Sequence, residues 1–142
     1  MRGWFKKGSR PTIKYVLNSF QKIHVFGALG FDKVITKLSP KLNSHKFLPF
    51  IRRLRKHFKK ICIVIDNARW HLTKDIMNFV KEQNIKMIRL LPYSPELNPI
   101  EQYWKNIKGW LGLKPIFNKP DLIKELKKSL KKDIFVPKIS RY

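Results

Sequence analysis

The chain has 142 residues, with 32 Lys and Arg against 9 Asp and Glu, a formal net charge of +23 at pH 7. Its 43% hydrophobic and 13% aromatic content can fill the core of one domain spanning residues 1–142, which excludes wholesale disorder. No run approaches the roughly 18 apolar residues of a membrane span, and the basic amino terminus has no signal-peptide core, so a soluble, cytoplasmic and nucleoid-associated protein is expected.

In chain order, residues up to Pro11 carry Trp4, Gly8 and Pro11 among basic side chains and read as an irregular connection. Residues 23–28 and 33–38 are short β-branched or aromatic runs, and Gly30-Phe31-Asp32 between them supplies turn chemistry, which predicts a β-hairpin. Phe47, Phe50, Ile51, Leu54 and Phe58 recur at helical spacing, with Arg52, Arg53, Arg55 and Lys56 on the other side. That is an amphipathic helix with a basic face.

Ile61-Cys62-Ile63-Val64-Ile65 is too short for a helix and reads as a central strand covered on both faces, with Cys62, the sole cysteine, as a packed thiol. Residues 73–83 place Ile76, Phe79 and Val80 on one helical face, and residues 86–91 form another strand. Strand, helix, strand implies a parallel crossover. Residues 92–99 are a proline-punctuated loop. Ile100, Trp104, Ile107 and Leu111 then mark a helix, Leu122, Leu126 and Leu130 a Lys-rich last helix, and residues 135–142 a tail expected to fray. The two helical tryptophans, Trp104 and Trp110, are expected in the core rather than as base-stacking platforms.

The charge excess attracts polyanions, so nucleic acid is the expected partner. Arg52, Arg53, Arg55, Lys56, Lys105 and Lys108 are candidate phosphate contacts, although a charge run can equally be a solvated face. Charge alone also fits a ribosomal RNA-binding protein or a binder of anionic membranes. Asp66 ends the apolar strand, where ligand sites of open α/β sheets lie, and reads either as a metal ligand or as a loop Asp that turns the chain. Glu101 opens a helix and is a metal ligand or one leg of a capping box with Asn98 and Pro99. His71 could orient a phosphate or a water, or be a polar loop histidine. Two such carboxylates meeting in space could share a divalent cation.

The string Asp66-Asn67-Ala68-Arg69-Trp70-His71, followed by Leu91-Pro92-Tyr93-Ser94-Pro95-Glu96-Leu97-Asn98-Pro99-Ile100-Glu101-Gln102-Tyr103-Trp104-Lys105, closely resembles the catalytic domain of mariner-like insertion-sequence transposases, the DDE superfamily endonucleases. The resemblance implies that Asp66 and Glu101, separated by 34 residues as is typical of that family, are its second and third catalytic acids. Gly3-Trp4-x-x-Lys7-Gly8-x-Arg10-Pro11 is similar to the family segment just after the first catalytic strand, which extends the likeness over nearly the whole chain. By that alignment the first aspartate and the helix-turn-helix region lie upstream of Met1. Asp32, in the hairpin turn, is not a substitute. Arg69 departs from the pattern, since many relatives carry proline there.

What the family implies is a ribonuclease H-like mixed α/β sheet flanked by helices, here without its first strand. It further implies DNA strand cleavage and strand transfer with Mg2+ or Mn2+. In such chemistry two metals about 3.5–4 Å apart stabilise both the attacking and leaving oxygens. DNA is the implied substrate, and a second copy or a full-length transposase the implied protein partner. The rival expectation is a catalytically inactive transposase remnant that binds DNA non-specifically or modulates a full-length transposase.

Overall fold

The computed structural model describes residues 22–31 and 33–138. The segment at residues 3–11, Asp32 and residues 139–142 lie outside them. β1 (His24–Leu29) and β2 (Val34–Ser39) pair antiparallel, with His24 opposite Ser39 and Leu29 opposite Val34. The turn closes through Gly30 N–H donating to Lys33 O at 2.9 Å. Strand alternation then sends the hairpin's side chains two ways. Phe26, Ala28 and Ile35 join one apolar cluster, and Val25, Val34 and Leu38 join another. The hairpin is thus the middle layer between two sets of helices.

On the first side lies α1 (Ser44–His57). Asn43 caps it, its Oδ1 accepting from Lys46 N–H at 2.9 Å, and the expected stripe Phe47, Phe50, Ile51 and Leu54 is buried. Arg55, Lys56 and His57 fall in its last turn, where cations oppose the helix dipole favourably. β3 (Cys62–Ile65) and β4 (Lys86–Arg89) pair in parallel, Cys62 opposite Lys86 and Ile65 opposite Arg89. α2 (Lys74–Glu82) makes the crossover between them and buries Ile76 and Val80 in the first cluster. Asn84, with φ 51°, takes the left-handed conformation that turns the chain from α2 into β4.

On the second side, α3 (Ile100–Leu111) and α4 (Lys119–Ser129) enclose Tyr103, Ile107 and Leu126. Asn118 caps α4, accepting from Asp121 N–H at 2.8 Å. Trp104 packs half-buried on the second cluster, and it lies so near β1 that a Cβ at Gly27 would sit well inside van der Waals contact with its indole. Trp110 instead sits near the rim, with the Lys114 ammonium 4.4 Å from its ring centroid.

Among the described residues the strands pair as two two-stranded sheets. Two expectations about β3 are corrected. β3 is accordingly not a strand covered on both faces: Val64 is 52% exposed and only Ile65 is buried. Cys62 is exposed rather than packed. The physical reason is that, among the described residues, β3 has a strand neighbour on one edge alone, and nothing overlies the Cys62 and Val64 face. Phe135 and Val136 pack on the second cluster, and Asn106 Nδ2 donates to Phe135 O at 3.0 Å.

Candidate active site

Asp66 follows the last residue of β3, so the strand's end carries its side chain out of the core, and that side chain is 60% exposed. Its Oδ1 accepts from Ala68 N–H at 3.1 Å, an Asx turn that fixes the carboxylate's direction. The same oxygen lies 2.8 Å from His71 Nδ1. That approach is a close polar contact between the carboxylate and the imidazole. His71 is 7% exposed, with Trp70 and Phe47 at ring-centroid distances of 3.7 and 4.7 Å. Burial lowers its pKa below the ordinary 6.5, outweighing the upward pull of the Asp66 charge, so the imidazole is neutral at pH 7. His71, a candidate DNA contact by sequence, is buried and lies against Asp66.

Glu101 sits in the first turn of α3. A capping box would have its carboxylate accept from the Asn98 N–H, but that N–H donates to Pro95 O at 3.0 Å. The Asn98 side chain does the capping instead, with Oδ1 3.4 Å from Ile100 N, while Glu101 N–H donates to Asn98 O at 3.0 Å. The exposed Glu101 carboxylate makes no ion pair with a described residue, Lys105 one turn on included. It is left free for an external partner.

The loop between β4 and α3 brings the two acids to one place. Leu90 N–H donates to Ile65 O at 2.8 Å, extending the β3–β4 ladder to the foot of Asp66. Asn67 Nδ2 donates to Leu90 O, which ties the Asp66 loop to the proline loop. The result is a cavity of about 370 Å³ lined by Asp66, Asn67, Tyr93, Ser94, Asn98 and Glu101 among others. A larger groove of about 770 Å³, running between β1 and β3, also ends on Asp66 and Glu101. Two carboxylates and two asparagine side chains line the smaller cavity, and their oxygens are of the hard type that divalent cations take.

Lys105 and Lys108 lie four and seven residues after Glu101 and are exposed, on the same stripe of α3 as that acid. The α1 cations are more committed within the fold. Arg55 Nη1 donates to Phe58 O at 2.9 Å, Arg53 Nη1 lies 3.4 Å from Thr36 O, and the Arg52 guanidinium lies 5.6 Å from the Phe79 ring centroid. Lys56 is exposed. Sequence reasoning missed Asn67 as the loop tie and Tyr93 as a lining residue. The proline spacing flagged the loop but not which side chains it turns inward.

A family model described as DDE superfamily endonuclease matches residues 1–124. Over 51 residues the chain is 37% identical to an uncharacterised protein, y4pE/y4sA, of Sinorhizobium fredii, a stretch that is 35% of this chain and 36% of that one. The structure is similar to the Mos1 strand transfer complex, with a TM-score of 0.71 at 17% identity over 96% of this chain and 44% of that chain. A pre-cleavage Mos1 transpososome matches at 0.66 and 17% identity, over 96% of this chain and 45% of that chain. The catalytic core domain of BIV integrase matches at 0.53 and 15% identity, over 75% of this chain and 71% of that chain. The fold is that of the ribonuclease H-like transposase and integrase catalytic cores. The chain spans less than half the length of the Mos1 chains and about a third of the bacterial relative.

Proposed function

Since the chain belongs to the DDE superfamily endonucleases, we propose that it acts on DNA in transposition, with Asp66 and Glu101 as the ligands of Mg2+ or Mn2+ for strand cleavage and strand transfer. The observation that carries this is geometric: two carboxylates far apart in sequence line one cavity, and among the described residues Glu101 has no side-chain partner while Asp66 keeps its second oxygen unengaged. When bound, the ion supplies Lewis-acid polarisation of the phosphodiester and neutralises charge that develops during in-line displacement. Asp66 is aimed by the Ala68 N–H and held against neutral His71. Glu101 is set by a helix start that Asn98 stabilises independently. Lys105 and Lys108, on the same stripe, hold backbone phosphates of the incoming strand.

Among the described residues no cluster of three or more His, Cys, Asp or Glu is present. Two carboxylates alone give a weak site. The family's first aspartate would come on a further strand, and among the described residues the groove between β1 and β3 has the strand edges to accept one by β-addition. This two-acid arrangement is also what favours the second reading, a DNA-binding remnant or modulator of a full-length transposase.

Plasmid nicking with and without Mg2+ decides between them. We expect slow, Mg2+-dependent nicking that disappears in Asp66→Asn and Glu101→Gln while DNA binding persists. Because the carboxylate of Glu101 takes no part in capping, Glu101→Gln should shift stability by less than about 0.5 kcal/mol, so lost nicking would report on chemistry. Undiminished nicking in either variant overturns the two-ligand assignment, and no nicking by any form, with DNA binding kept, leaves the remnant reading.

A further inference from the structure

Tyr93 combines two features that nothing within the fold repays. Its φ of 56° places an aromatic residue in the left-handed region, and the other described non-glycine residue there, Asn84, is of a type that tolerates it. Its side chain is also fully exposed, at 102%, and its hydroxyl has no hydrogen-bond partner among the described residues. The backbone is held this way from both ends. Leu90 N–H bonded to Ile65 O and Asn67 Nδ2 bonded to Leu90 O fix the entry. On the exit side, Ser94 Oγ donates to Pro92 O at 3.2 Å and Leu97 N–H to Ser94 O at 3.1 Å, joining the loop to the start of α3.

Backbone strain that serves no internal packing collects at ligand sites, and Tyr93 lines the same cavity as Asp66 and Glu101. The ligand that presents a flat π-face within reach of a phosphate-directed acid pair, in a chain of net charge +23, is a nucleobase. In continuous duplex both faces of each base are covered by its neighbours, and turning one out costs free energy that a frayed or single-stranded base does not require.

We propose that Tyr93 is the stacking platform for the nucleobase beside the phosphodiester addressed by Asp66 and Glu101, so that the site selects a strand end with an unpaired base over uninterrupted duplex. This rests on the DNA-processing reading above and adds to it a specificity-determining residue and a substrate form.

The test is binding of the full chain to two oligonucleotide duplexes, one blunt and one with a 3′ overhang carrying 2-aminopurine at its first unpaired position. The unaltered chain and Tyr93→Phe should quench the 2-aminopurine and favour the overhang. Tyr93→Asn relieves the backbone strain and keeps or raises the Tm. It should nonetheless abolish quenching and lower affinity for the overhang about tenfold, with blunt duplex unaffected. Equal affinity and quenching in Tyr93→Asn overturn the proposal while leaving the DNA-processing reading intact. Failure of the unaltered chain to bind either duplex removes both.

Discussion

His71 is most useful to Asp66 while it stays neutral, because protonation would place a charge among Phe47 and Trp70 with one polar contact to offset it. Its folded pKa lies below the unfolded value of about 6.5, so the native state binds fewer protons than the unfolded state in that range. The stability this residue supports is therefore complete above pH 6.5 and is lost as pH falls through the folded value. In EDTA, thermal melts should show Tm falling below pH 6.5, and His71→Phe should flatten that limb. An unchanged limb would mean that another group carries it. The identity and spacing of Asp66, His71 and Glu101 were legible in the sequence. The burial of His71 was not, since Phe47 lies on α1, 24 residues earlier. Nor could the sequence choose between ligand and cap for Glu101, because that turned on where one backbone N–H of Asn98 points.

At the scale of elements, the hairpin, α1 and the parallel crossover follow from periodicity, and each formed within about three residues of its expected place. The coverage of β3 did not follow. An apolar run states what a strand can bury, not which layers arrive to bury it. The packing of α3 was equally hidden, since its closeness to β1 depends on Gly27 having no side chain where the Trp104 indole rests. Gly27→Ala should force that ring, and with it the helix bearing Glu101, away from the hairpin. Overpacking of this kind costs about 1–3 kcal/mol, and a urea melt should show a lower midpoint with an unchanged slope. A neutral Gly27→Ala would mean that the α3–β1 contact accommodates a methyl group.

For the molecule as a whole, the described residues hold one side-chain ion pair, Lys128 with Glu125, beside the contact of neutral His71 with Asp66. Most of the positive charge therefore has no acid to answer it, and binding to DNA should weaken steeply as salt rises through counterion release. Which cations contribute is a structural matter that composition left open. Replacing Lys105 and Lys108 together with alanine should reduce the salt slope by about 2, whereas Arg55→Ala should change it little because that guanidinium already serves Phe58 O. Affinities measured across a salt series would show the reverse ranking if α1, rather than α3, lies along the duplex.

The exposed Cys62 has a practical consequence. It is the sole cysteine of the chain, and it lines the long groove beside β3. A maleimide dye attached there would carry a unique covalent reporter without any prior mutagenesis. Its labelling rate would register, in real time, whenever a polypeptide settles along that edge and shields the sulfur.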